Sequence, residues 1–118
     1  MNKIIIIGNL GKNPEMRYTP TGVPVTTFSV ASTFKRTSDS GEKVEETTWF
    51  NVSAFNTLAE AANTYLSKGS KVYVEGRLKL RTYDRRDGTP GASLDVAASH
   101  IEFLSARAAS PEMEPPEA

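Results

Sequence analysis

The chain contains no cysteine and a single histidine. Disulfides and thiolate metal sites are therefore excluded, and cysteine usage gives no redox compartment. His100 has no second ligand at a metal-binding spacing and reads as structural. No apolar run approaches the roughly 18 residues of a membrane span. Met1 leads almost at once into a strand, without a charged leader and cleavage site, so no export signal is expected and a cytoplasmic setting follows. A nucleotide phosphate loop is missing too: only Asn9 and Leu10 separate Gly8 from Gly11-Lys12, and Asn13-Pro14 follows where a helix should start. Glu42, Glu45 and Glu46 lie in a polar stretch without a pocket signal and read as solvating charge. No cofactor is implied, and an enzyme is not expected.

Net charge is also missing, since 14 basic residues face 14 acidic ones. Its distribution is uneven. Glu112, Glu114 and Glu117 fall in the last eleven residues, which hold no cation, so the body carries three net positive charges. Between Arg77 and Arg86 stand five cations and one acid, Asp84. Such a local field can steer an anionic ligand although the total is neutral.

At 118 residues the chain suits one domain with a single core. Ile4 to Ile7 read as a strand apolar on both faces, so one face fills a core and the other needs cover, as from a second subunit. After a Gly- and Pro-punctuated stretch, with Met16–Tyr18 briefly extended, a second strand runs from Val23 to Thr33. Polar residues from Phe34 to Glu46 read as a long, flexible hairpin loop, and a third strand follows to Phe55. Leu58, Ala61, Ala62, Tyr65 and Leu66 then take helical spacing. Thr57 and Glu60 suit a capping box, with Lys68 and Gly69 at the stop; Tyr65 reads as packing. A fourth strand ends at Tyr83. The fifth runs from Ser93 to Leu104, its apolar parity switching between Ala98 and Ile101, which predicts a bulge near Ser99-His100. Residues 106–118 are Ala-, Pro- and Glu-rich and expected to be disordered, leaving 1–105 as the domain. Three strands, a helix and two strands predict an all-β fold, the five-stranded OB barrel with one helix between strands three and four.

Two strands sort their side chains by parity. Phe50, Val52 and Ala54, with Val72, Val74, Leu78 and Leu80, form apolar faces that read as core. The alternate positions hold Trp49, Asn51, Ser53 and Phe55, then Tyr73, Glu75, Arg77, Lys79, Arg81 and Tyr83. Aromatics interleaved with cations suit a surface that meets bases and phosphates. Lys35 and Arg36 in the hairpin and Arg77 in the cationic row join the candidate set.

The stretches NKIIIIGNLGKNPEMRYTPTG, WFNVSAFNTLAEAANTYLSKGSKVYVEGRLKLRTY and DGTPGASLDV together resemble the bacterial single-stranded DNA-binding protein family, over residues 2–104. The resemblance implies a homotetramer that binds and wraps single-stranded DNA in replication, recombination and repair. By position it implies stacking on Trp49, Phe55 and Tyr83, the last where relatives often have Trp, with Phe34 a weaker candidate. Lys68, Lys79 and Arg81 match phosphate-contacting cations. Asn51 and Thr57 stand where relatives are often basic, so a lower affinity is expected. Phe50 replaces a polar residue common at an interface. Relatives commonly end in a long linker and an acidic tip closing with Pro-Phe, whereas this chain closes with SPEMEPPEA; reduced recruitment of replication and repair proteins is expected. Two alternatives remain open: a primosomal-type OB-fold adaptor acting through protein partners, and a single-stranded RNA binder.

Overall fold

A computed structural model describes residues 1–104. The tail from residue 106 lies outside them. The elements are β1 (Ile4–Leu10), β2 (Glu15–Tyr18), β3 (Pro24–Thr37), β4 (Lys43–Phe55), α1 (Asn56–Tyr65), β5 (Lys71–Asp84) and β6 (Pro90–Phe103). The brief extended piece is thus a strand of its own, paired with β3 from Glu15↔Thr27 to Tyr18↔Pro24. The other five close a barrel in the order β1-β5-β6-β4-β3, and β3 returns to β1 through Asn9↔Ala31 and Leu10↔Val30. All pairings are antiparallel except β4 with β6, which meet over Asn51↔Asp95, Val52↔Val96 and Ser53↔Ala97. This is the OB barrel, with its helix between the third and fourth barrel strands.

The core follows strand parity. Ile6, Phe28, Val30, Val52, Ala54, Val72, Val74 and Val96 point inward and are buried. At β1 only alternate positions are covered: Ile6 is 3% exposed, while Ile5 and Ile7 remain 55% and 50% exposed. The expected bulge is present. Glu75 faces His100 and Gly76 faces Ala98, so Ser99 is the extra residue that restores Ile101 to the inside.

Several expectations need correction. Phe34–Glu46 is not a loop: β3 and β4 stay in register out to Thr37↔Lys43, and only residues 38–42 turn. Cross-strand Lys35–Glu45 and Arg36–Glu46 pairs, at 3.8 and 3.6 Å, sit along this arm. Leu80 has core parity but is 59% exposed, because the β5–β6 hairpin has by then run past the end of the barrel. The helix buries Ala59 and Ala62, followed by Leu66, so its inner stripe includes Ala59 rather than Ala61. No capping box forms at its start, where Phe55 is the N-cap without a side-chain hydrogen bond. Finally, Leu66 ends the helix in extended backbone, and Gly69 (φ 89°) serves the next turn, closed by Ser70 N–H to Ser67 C=O at 2.9 Å.

Thr26 is, among the described residues, the buried polar side chain of the core. Its hydroxyl donates to the Ala59 carbonyl at 2.6 Å, tying β3 to the helix. Tyr65 rests against Phe103, with ring centroids 5.5 Å apart, in keeping with a packing role, though 48% of it stays exposed.

Candidate nucleic-acid interface

Paired residues in a sheet point to the same side, so register alone lays out the outer face. One row across four strands reads Lys79, Asp95, Asn51, Ser29; the next reads Arg77, Ala97, Ser53, Thr27. Small polar side chains thus form a floor with cations along its β5 edge. Trp49 and Phe55 stand at the two ends of the β4 segment, 54% and 44% exposed. Tyr83, 41% exposed, rises from the hairpin beyond Arg81. Two adjoining hollows that share Ser53 and Asp95 form a groove over this floor, the first lined also by Lys12, Asn51 and Arg81, the second by Phe55, Arg77, Lys79 and Ala97.

Two of the three rings lie on glycine. A Cβ at Gly11 would come within 2.6 and 2.7 Å of Cζ3 and Cη2 of Trp49. One at Gly91, directly across the ladder from Tyr83, would come within 2.6 and 2.7 Å of Cε2 and Cζ of that ring. Each aromatic therefore has part of its surface seated on backbone and part exposed.

Arg81 is not a free cation. Its Nε donates to Asp95 Oδ2 at 2.8 Å, and its Cζ lies 5.7 Å from the Tyr83 ring centroid. The Arg81 hydrogen bond holds the Asp95 carboxyl below its ordinary range. Donation from the Ser93 hydroxyl at 3.0 Å and the Asn51 amide at 3.4 Å acts the same way, while partial burial opposes it. The same pair raises Arg81.

The structure therefore brings together Trp49, Phe55, Tyr83, Arg77, Lys79 and Arg81. It sets others apart. Lys35 shares the outer face of the β3–β4 arm with Trp49, but Phe34 and Arg36 alternate onto the opposite face. Lys68 sits on the α1–β5 turn, where its backbone N–H donates to the Asn13 side chain at 2.7 Å. Sequence reasoning missed Lys12, which lines the groove, as well as Gly11, Gly91 and Asp95. Lys12 sits beside a failed phosphate-loop pattern. Only the β1–β3 closure reveals that its loop borders the groove.

A second outer patch lies over β1 and β5, where Ile5 pairs with Glu75 and Ile7 with Tyr73. Lys3 reaches Glu75 at 3.1 Å, and the Tyr73 hydroxyl donates to the same carboxylate at 2.5 Å. That hydrogen bond lowers Glu75 and raises Tyr73. His100 lies edge-on to Tyr73 and 2.9 Å from Glu102 Oε2. Among the described residues, no group of three or more His, Asp or Glu side chains is placed to hold a metal ion.

Fold and groove together define an OB-fold protein with an open, aromatic-lined face of the kind that accepts extended chains. The Single-strand binding protein family matches residues 1–104, and the chain belongs to that family. It is 42% identical over 107 residues to a single-stranded DNA-binding protein of Neisseria meningitidis serogroup A, and 41% identical to one of Xanthomonas campestris. Each match covers 91% of this chain but only 62% of the relative, so the chain spans under two thirds of these curated relatives. Among solved structures, a small single-stranded DNA-binding protein from Streptomyces coelicolor superposes with a TM-score of 0.74 at 33% identity, over 86% of this chain and 93% of that one. The Plasmodium falciparum SSB complex with ssDNA gives 0.78 at 28% identity, over 89% and 96%.

Proposed function

We propose that this chain binds single-stranded DNA without reading its sequence, by stacking bases on Trp49, Phe55 and Tyr83 and meeting phosphates with Arg77, Lys79 and Arg81. The observation that carries the reading is the shared outer face: three exposed rings bracket a polar floor, with a cationic row along one edge. Stacking tolerates any base because every base has a π-face, and a basic edge follows the backbone. Lys12 borders the same region and adds a phosphate contact. The activity is binding rather than catalysis, in the cytoplasm on the nucleoid, in replication, recombination and repair. The exposed Ile5 and Ile7 support assembly into a homotetramer through β1.

Oligo-dT titration followed by Trp49 fluorescence is the direct test. Quenching is expected at low salt, with duplex DNA a poor competitor. No quenching, or equal competition by duplex, overturns the proposal.

One observation favours a second reading, an adaptor acting mainly through proteins. Lys35, Arg36 and Arg81 each face a carboxylate, which lowers the charge available to phosphate. Pull-downs with and without nuclease separate the two readings, since adaptor complexes survive nuclease. Matched DNA and RNA oligomers in competition test the preference for deoxyribose.

A further inference from the structure

We infer that Gly91 is a positioning residue for the Tyr83 ring, seating it toward the groove in the free protein. The inference rests on the reading of Tyr83 as a base platform. Gly91 does not adopt the left-handed backbone that would itself require glycine. It is buried although its neighbours Pro90 and Ala92 are exposed, on a hairpin that has already run past the core. The ring is its cover. A Cβ there would meet Cε2 and Cζ of Tyr83 at 2.6 and 2.7 Å and Oη at 3.0 Å.

Those three atoms form the outer end of a side chain that pivots about two torsions. An added methyl therefore displaces the ring and leaves the hairpin in place. Alanine also fits extended backbone at lower entropic cost than glycine. Arg81, tied to Asp95 at 2.8 Å, lies 5.7 Å from the centroid of the same ring and adds a cation–π contact that favours its orientation. A ring held in its working orientation loses less conformational freedom when a base stacks on it, and preorganisation of this kind appears as affinity. The Trp49 ring meets Gly11 in a like manner, so two of the three platforms share the arrangement.

The test is a double-mutant cycle on oligo-dT affinity, measured by anisotropy of labelled oligomer, with proton NMR of the free protein. Y83A is expected to weaken binding about 5- to 150-fold, the loss of one stacked base. G91A is expected to weaken it at least threefold, with a thermal midpoint no lower than that of the original protein. In the Y83A background, G91A is expected to change nothing. NMR is expected to show a Gly91 Hα resonance shifted upfield by the ring current, a shift absent from Y83A. Unchanged affinity in Y83A overturns both the platform reading and the seat. A loss in Y83A with none in G91A overturns the seat alone. So does a G91A loss that persists in the Y83A background, or an ordinary Gly91 Hα shift in the original protein.

Discussion

Replacing Trp49 by alanine separates what the ring does for the fold from what it does for a ligand. The residue is 54% exposed, and its covered part includes the contact with Gly11. An aromatic ring of this size offers up to about 250 Å², so at most about 115 Å² is covered. At ~25 cal/mol per Å² the substitution costs the fold at most about 3 kcal/mol. The core beneath is untouched, because Val30 and Val52 fill the inside near β4. The open half is what a base would cover. Stacking is worth roughly 1–3 kcal/mol per base, a range general to single-strand-binding folds rather than worked from this structure. Affinity for oligo-dT should therefore fall about 5- to 150-fold. Counterion release depends on cations, so the slope of log affinity against log salt should not change. Anisotropy of a labelled oligomer at several salt concentrations reads both quantities, since the variant loses the chain's single tryptophan. An affinity within twofold of the original, or a slope altered by more than about half a unit, would refute the reasoning.

Removing Arg77 and Lys79 together should flatten the salt slope by about 1.4, or ~0.7 for each phosphate no longer neutralised; Arg81→Ala should flatten it less, because Asp95 already meets that charge. Asp95→Asn should cost at most about 1 kcal/mol at pH 7, the pair being partly exposed. Its folded carboxyl titrates below its unfolded value, so this contribution is present above about pH 4 and is lost as pH falls further. Thermal midpoints of the two proteins should converge as pH falls through the depressed folded value of Asp95, and a pH-independent gap would contradict the pairing. Thr26→Val, which keeps the shape but removes the donor to Ala59, should cost about 1–1.5 kcal/mol in urea denaturation. Ile5→Glu with Ile7→Glu should yield monomers by light scattering while the barrel stays folded, since both side chains already face outward.

What could be read from the chain alone was whatever depends on local period. Alternation placed Trp49 and Phe55 opposite Val52 and Ala54. The parity switch between Ala98 and Ile101 located the bulge at Ser99, and the helical spacing located α1. The polar composition of residues 35–46 concealed a strand arm, because cross-strand pairing of charges and threonines stabilises a ladder that hydrophobic period does not signal. Leu80 was misplaced for a related reason: parity specifies a face but not where the barrel beneath that face ends.

The aromatic and basic face was thus determined by residue type and by a period of two, which any extended strand must express. Only tertiary structure decided what each ring and cation meets. Gly11 reaches Trp49 and Asp95 reaches Asn51 across dozens of residues, through the β1–β3 closure and the parallel β4–β6 seam. Register between distant strands is set by how the whole core packs, and no local pattern carries it. Chain chemistry therefore indicated a surface for bases and phosphates. Barrel closure decided which rings rest on glycine and which arginine is already paired.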